Sequence, residues 1–211
     1  MKQTIVFLDI DGVIFDAQGF FSNFCEKFIQ ETSLNQETKE KLKDFYGEVK
    51  KEKGFFDPQL FLGKISSEYS ITKENLDKLW YDEEFFRKFL LVDESFFERI
   101  QEKATIGIFS KGEAAFQKKK IEKFNNFINP ENVYIFENKI VKINEILVKY
   151  KDYKIYMVDD NRNVLESFKQ IDGSVFAILI NRERTETVNS VDAVLDNISQ
   201  LTSFLTQRIA S

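Results

Sequence analysis

Four short apolar runs, each closing on or beside a group that can do chemistry, constrain this chain most. They are Thr4 to Leu8 before Asp9, Thr105 to Phe109 before Ser110, Lys154 to Val158 before Asp159 and Asp160, and Val175 to Ile180. Apolar residues at consecutive positions mark strands of a parallel sheet covered on both faces. A weaker fifth run, Val133 to Phe136, lies between the second and third. Helical patterns separate them: Gly112 to Phe124 after the second, Ile143 to Tyr150 before the third, and Asn161 to Gln170 after it, ending at the Asp172-Gly173 turn. Strands alternating with helices predict right-handed βαβ units and an α/β fold, a doubly wound, Rossmann-like parallel sheet.

The interval from Asp16 to about Leu91 breaks this alternation. Its apolar residues recur at helical spacing, as in Phe20, Phe24 and Phe28, or Leu42, Phe45, Tyr46 and Val49. Breaks are expected near Thr32-Ser33, Gly54, Asp57-Pro58, Gly63 and Ser70 to Thr72. The expected organisation is a sheet core over residues 1–15 and 92–211, with an all-helical module of four or five helices over residues 16–91 inserted after the first strand. The many phenylalanines read as the core of that module and its seam with the sheet.

The chain contains no histidine. That removes Ser-His-Asp and Cys-His catalysis and His-liganded zinc, leaving carboxylates, lysines, hydroxyls and hard metals. The single cysteine, Cys25, cannot form an intrachain disulfide and reads as a small core residue. A net charge of −5 and a pI near 5.1 repel phosphate backbones, so nucleic acid is not expected as a partner. Any anionic substrate must instead meet a local positive site. The run Lys118-Lys119-Lys120 reads as a solvated helix face. Residues 1–14 resemble neither a signal peptide nor a membrane span, so a cytoplasmic protein with no membrane partner is expected.

Doubly wound sheets bind ligands beyond the carboxyl ends of their strands. Asp9 and Asp11, Ser110, and the pair Asp159-Asp160 all fall there, and the loop Asn138-Lys139-Ile140-Val141-Lys142 lies in the same half of the chain. Gly12 permits a tight turn after the first pair. Two carboxylates so close repel each other. A divalent cation relieves that repulsion, and all-oxygen ligands select magnesium.

The stretch Ile5-Val6-Phe7-Leu8-Asp9-Ile10-Asp11-Gly12-Val13 resembles the first motif of the haloacid dehalogenase-like hydrolases. Ile106 to Gly112 resembles the second, a strand ending in Ser or Thr. Lys139 resembles the third, with Lys142 as the alternative, and Tyr156 to Asn161 resembles the fourth in its paired-acid form. The resemblance spans nearly the whole chain, including a helical cap after the first motif. It implies that Asp9 is the nucleophile and Asp11 the general acid and base. It also implies that Ser110, Lys111 and Gly112 grip the phosphoryl group beside a motif lysine, and that Asp9, Asp11, Asp159 and Asp160 hold Mg2+. Val164 stands where many relatives carry a further aspartate. Asp11 favours phosphate chemistry over dehalogenation. The implied activity is magnesium-dependent hydrolysis of a small phosphorylated metabolite by a monomer or weak dimer. A sugar-phosphate mutase and a non-catalytic binding protein are the alternatives.

Overall fold

The computed structural model describes residues 2–181 and 190–209. Six strands, β1 (Gln3–Leu8), β2 (Thr105–Lys111), β3 (Val133–Phe136), β4 (Tyr153–Asp159), β5 (Phe176–Ile180) and β6 (Ala193–Leu195), form one parallel sheet in the order β3-β2-β1-β4-β5-β6. The order reverses direction beside β1, the position where doubly wound sheets open a crevice at their carboxyl edge.

Alternate residues point to opposite faces of the sheet. Ile5, Phe7, Met157 and Leu179 pack on one face with Leu165 and Phe168; Val6, Leu8, Ile108 and Val158 belong to the apolar cluster on the other. Phe7 and Gly107 are register partners, and a Cβ on Gly107 would lie 2.4 Å from the Phe7 ring. The missing side chain is what seats that ring.

Five helices lie between β1 and residue 88: α1 (Ala17–Thr32), α2 (Glu37–Lys53), α3 (Pro58–Tyr69), α4 (Lys73–Trp80) and α5 (Glu83–Arg87). Side-chain caps start four of them: Asp16, Asp57, Thr72 and Asp82 each accept a hydrogen bond from a first-turn backbone N–H. Gly54, with φ +77°, ends α2. Gly63 is not a break. It sits inside α3, which the Asp57 cap, Pro58 at its first position and the buried Phe61, Leu62 and Ile65 hold together against the weak helix propensity of one glycine.

The chain enters and leaves this helical stretch side by side. The Asp16 N–H donates to the Phe89 carbonyl and the Leu91 N–H to the Ile14 carbonyl, both at 2.8 Å, with an antiparallel bridge between Phe15 and Leu90. Phe20, Phe24, Phe61 and Trp80 share one apolar cluster with the adjoining face of the sheet. Cys25 is fully buried in it, and burial pushes its thiol up to about 12.

The remaining helices are α6 (Glu94–Gln101), α7 (Ala114–Ile121), α8 (Ile143–Lys149), α9 (Arg162–Ile171) and α10 (Gln200–Ile209). The helix after β2 is shorter than the sequence pattern predicts, because Glu122 to Phe124 tighten into a 3-10 turn. Among the described residues no helix is long and apolar enough to cross a membrane.

Candidate active site

The register sets the site. Leu8 pairs with Val158, and the Asp9 N–H continues the ladder to the Val158 carbonyl at 2.9 Å, so the next residues on the two strands, Asp9 and Asp159, emerge side by side. Asp160 follows at the turn into α9. One carboxylate oxygen from each of Asp9, Asp159 and Asp160 lies within 4.8 Å of the others. Gly12 closes on them with φ +76°, and a Cβ there would lie 2.0 Å from Oδ2 of Asp160. Only glycine lets the loop after β1 approach this closely.

Lys139 reaches into the cluster. Its Nζ donates to Oδ2 of Asp159 at 2.6 Å and lies 3.0 Å from Oδ2 of Asp9. Burial would strip the charge from this ammonium, but the two carboxylates outweigh it and hold Lys139 above the ordinary lysine range. Lys142 does not take this place. It lies on the 3-10 turn leading into α8 and pairs with Glu145 at the surface, because the Ile140–Lys142 turn sends the two lysines of the loop in different directions.

The carboxylates are crowded with negative charge. Asp159 is wholly buried; burial and then the neighbouring Asp9 raise its affinity for a proton, against the pull of Lys139. Asp160 remains open to the cleft. The atoms around it and the Asp9 charge still push it up to about 7. Among the described residues, Oδ1 of Asp9 is buried without a hydrogen-bond partner. An unsatisfied anionic oxygen inside an all-oxygen cluster is what a hard divalent cation would complete, so the donor set fits magnesium.

Asp11 lies apart from that cluster. Oδ1 accepts from Lys120 Nζ at 2.6 Å, and Oδ2 accepts from Gln117 Nε2 at 2.9 Å. Lys120 therefore corrects the reading of Lys118 to Lys120 as a solvated face: its side chain is 2% exposed. On α7, positions 116, 117, 120 and 121 share one inward face, and Phe116 and Ile121 carry Gln117 and Lys120 in with them. Apolar flanks at that spacing were the available signal. Burial lowers the proton affinity of Lys120, and the charge of Asp11 pulls the other way.

Ser110 is fully buried near the end of β2, within 3.4 Å of Gln117 Nε2. Gln117 also donates to the Lys111 carbonyl at 2.7 Å, and Gly112 is buried beside it. Lys111, with Asp9, Asp11, Lys139 and Asp160, lines an open cleft of about 1270 Å³. The cleft reaches the helical stretch at Ala17, Tyr46, Lys50 and Phe56. Val164 lines it as an apolar residue and offers no ligand.

No family model and no curated protein sequence matches the chain. Solved structures do. A haloacid dehalogenase-like hydrolase from Burkholderia xenovorans is 16% identical and superposes with a TM-score of 0.73, over 95% of this chain and 98% of that one. A defluorinating L-2-haloacid dehalogenase is 12% identical, with a TM-score of 0.64 over 97% and 95%. A magnesium-bound hydrolase of the same type from Bacillus subtilis is 12% identical, with a TM-score of 0.63 over 97% and 99%. Phosphatases are among the other similar structures, one of them from Thermococcus onnurineus.

Proposed function

Given that the chain has the fold of the haloacid dehalogenase-like hydrolases, we propose that it is a magnesium-dependent phosphatase, hydrolysing a small phosphate monoester through an aspartyl phosphate on Asp9. The observation that carries this reading is the orphaned Oδ1 of Asp9, buried among Asp159, Asp160 and Lys139. Asp9, Asp159 and Asp160 would hold the cation, with the Asp11 backbone carbonyl nearby. When bound, it supplies charge neutralisation for the transferring phosphoryl group.

The chain's own groups divide the remaining work. Lys139 fixes Asp9 through Oδ2. Asp9 attacks phosphorus; the bond to the ester oxygen breaks as the bond to the carboxylate forms. Asp11 gives its proton to the departing alkoxide. It then takes one from the water that displaces phosphate from Asp9. Lys120 and Gln117 act through Asp11 as positioning residues, holding its carboxylate in one orientation. Ser110, Lys111 and Gly112 steady the phosphoryl oxygens from the end of β2. The helical residues 16–91 act as a cap over the cleft.

A dehalogenase shares this fold, and Asp11 is what favours phosphate here: displacement of halide needs no proton donor for its leaving group, whereas an alkoxide does. A small phosphorylated metabolite of the cytoplasm is the proposed substrate, met by a monomer or weak dimer. The test is phosphate release from an ester panel with magnesium, comparing wild type with Asp9→Asn. The variant should fold and lose at least about 10⁴-fold in kcat/KM. Unchanged release would place the activity elsewhere.

A further inference from the structure

Beside Asp11 the cleft narrows into a recess that the phosphoryl chemistry leaves unused. Its free volume is about 50 Å³, and Asp11, Ala17, Tyr46, Phe56 and Lys111 line both it and the cleft, so it opens from the cleft floor. Most of its wall is aromatic. Phe20 stands edge-on to Trp80 at 4.8 Å between ring centres, and Trp80 lies 5.7 Å from both Phe56 and Phe116. The helical stretch and the sheet core each contribute rings to the same wall.

The polar groups of the recess are mostly spoken for. Glu113 caps α7 by accepting from the Ala115 and Phe116 N–H groups. Lys120 is committed to Asp11, and both amide hydrogens of Gln117 have acceptors within reach. What the recess offers a ligand is therefore chiefly ring carbon.

We propose that this recess receives the leaving alcohol, and that the preferred substrate is the phosphate monoester of a short, largely apolar alcohol. The inference rests on the phosphatase reading. Asp11 stands at the mouth of the recess, so the ester oxygen it protonates leads the carbon chain inward. A free volume of 50 Å³ is well below the roughly 150 Å³ of an engineered apolar cavity that takes benzene, so the recess admits a few carbons and excludes a sugar ring. Hydroxyls along the chain would face aromatic carbon and lose their water without compensation.

Three phosphate probes test this: acetyl phosphate, butyl phosphate and glycerol 3-phosphate. With magnesium, kcat/KM for butyl phosphate should exceed that for glycerol 3-phosphate by about tenfold or more. Ala17→Leu fills the mouth and should lower the butyl-to-acetyl ratio about tenfold. Equal rates on butyl and glycerol phosphates, or a butyl-to-acetyl ratio unchanged in Ala17→Leu, would overturn the substrate assignment. Acetyl phosphate separates the layers: Asp9-dependent hydrolysis of it without the ester preference defeats this inference alone, and no Asp9-dependent hydrolysis of any probe defeats the phosphatase reading with it.

Discussion

Two buried lysines stand at opposite ends of the site, and their protonation is pushed in opposite directions. Lys139 sits against two carboxylates, Asp9 and Asp159, and is held above the ordinary lysine range despite its burial. Lys120 sits against one, the part-exposed Asp11, and burial wins. The number and depth of the carboxylates decide the sign. The Asp9 end is accordingly a crowd of carboxylates gathered around one firmly charged ammonium. The Asp11 end is a looser clamp on one part-exposed carboxylate.

The sharpest way to break this contrast is Lys139→Met. It leaves Asp9 and Asp159 buried without a counter-charge, so stability should fall by about 3–5 kcal/mol by denaturant unfolding in the absence of metal. Activity should fall by roughly 10²- to 10³-fold. Lys120→Met should do less. The Asp11 side chain is 37% exposed and can take water in place of the ammonium, so a stability change within about 1 kcal/mol is expected. With Asp11 released, kcat should drop by about tenfold while KM moves little, and the pH–rate profile should be displaced from that of wild type. A purely structural Lys120 would lower stability and leave that profile in place.

A smaller effect follows from Asp160. Its folded carboxyl is pushed up to about 7 from an ordinary value of 3.8, by burial and then by Asp9. Between those two values the folded, metal-free protein holds a proton that the unfolded chain releases. Stability must therefore fall as pH rises through that window. The unfolding midpoint of metal-free protein should decline between about pH 4 and pH 7 beyond the trend of an Asp160→Asn variant. Magnesium should raise the midpoint more at about pH 8 than at about pH 5, because it binds the deprotonated carboxylates. Equal stabilisation at both pH values would argue against an ion among them. The smallest effect expected is for Lys142→Ala, which removes only a surface pair with Glu145. Stability should stay within about 0.5 kcal/mol and phosphate release should match wild type.

The same contrast explains what could be read in the chain. Asp9, Asp159 and Asp160 were legible because each ends a buried strand, and register alone carries strand ends to one edge. The strands β1 to β5 were legible for the same reason, since consecutive apolar residues have few other uses. The sequence already favoured Lys139, because Ile143, Ile146 and Leu147 follow it at helical offsets, and the backbone removes the Lys142 alternative by turning that side chain to the surface. Lys120 was hidden by its neighbours, Lys118 and Lys119, which do face outward. Three adjacent lysines look like a charge run until helix geometry turns one of them inward beside Phe116 and Ile121. The three-residue strand β6 went unseen because so short a run carries no pattern of its own.

The paired connections at Ile14 to Asp16 and Phe89 to Leu91 carry a further consequence. Because the doorway of the helical stretch is only one bridge wide, its size is independent of what lies beyond it. The sheet supplies the same two anchor points whether the detour between them is seventy residues or seven, to order of magnitude. Such a doorway lets evolution, or an engineer, exchange the helical stretch while the hearth at Asp9 stays where it is.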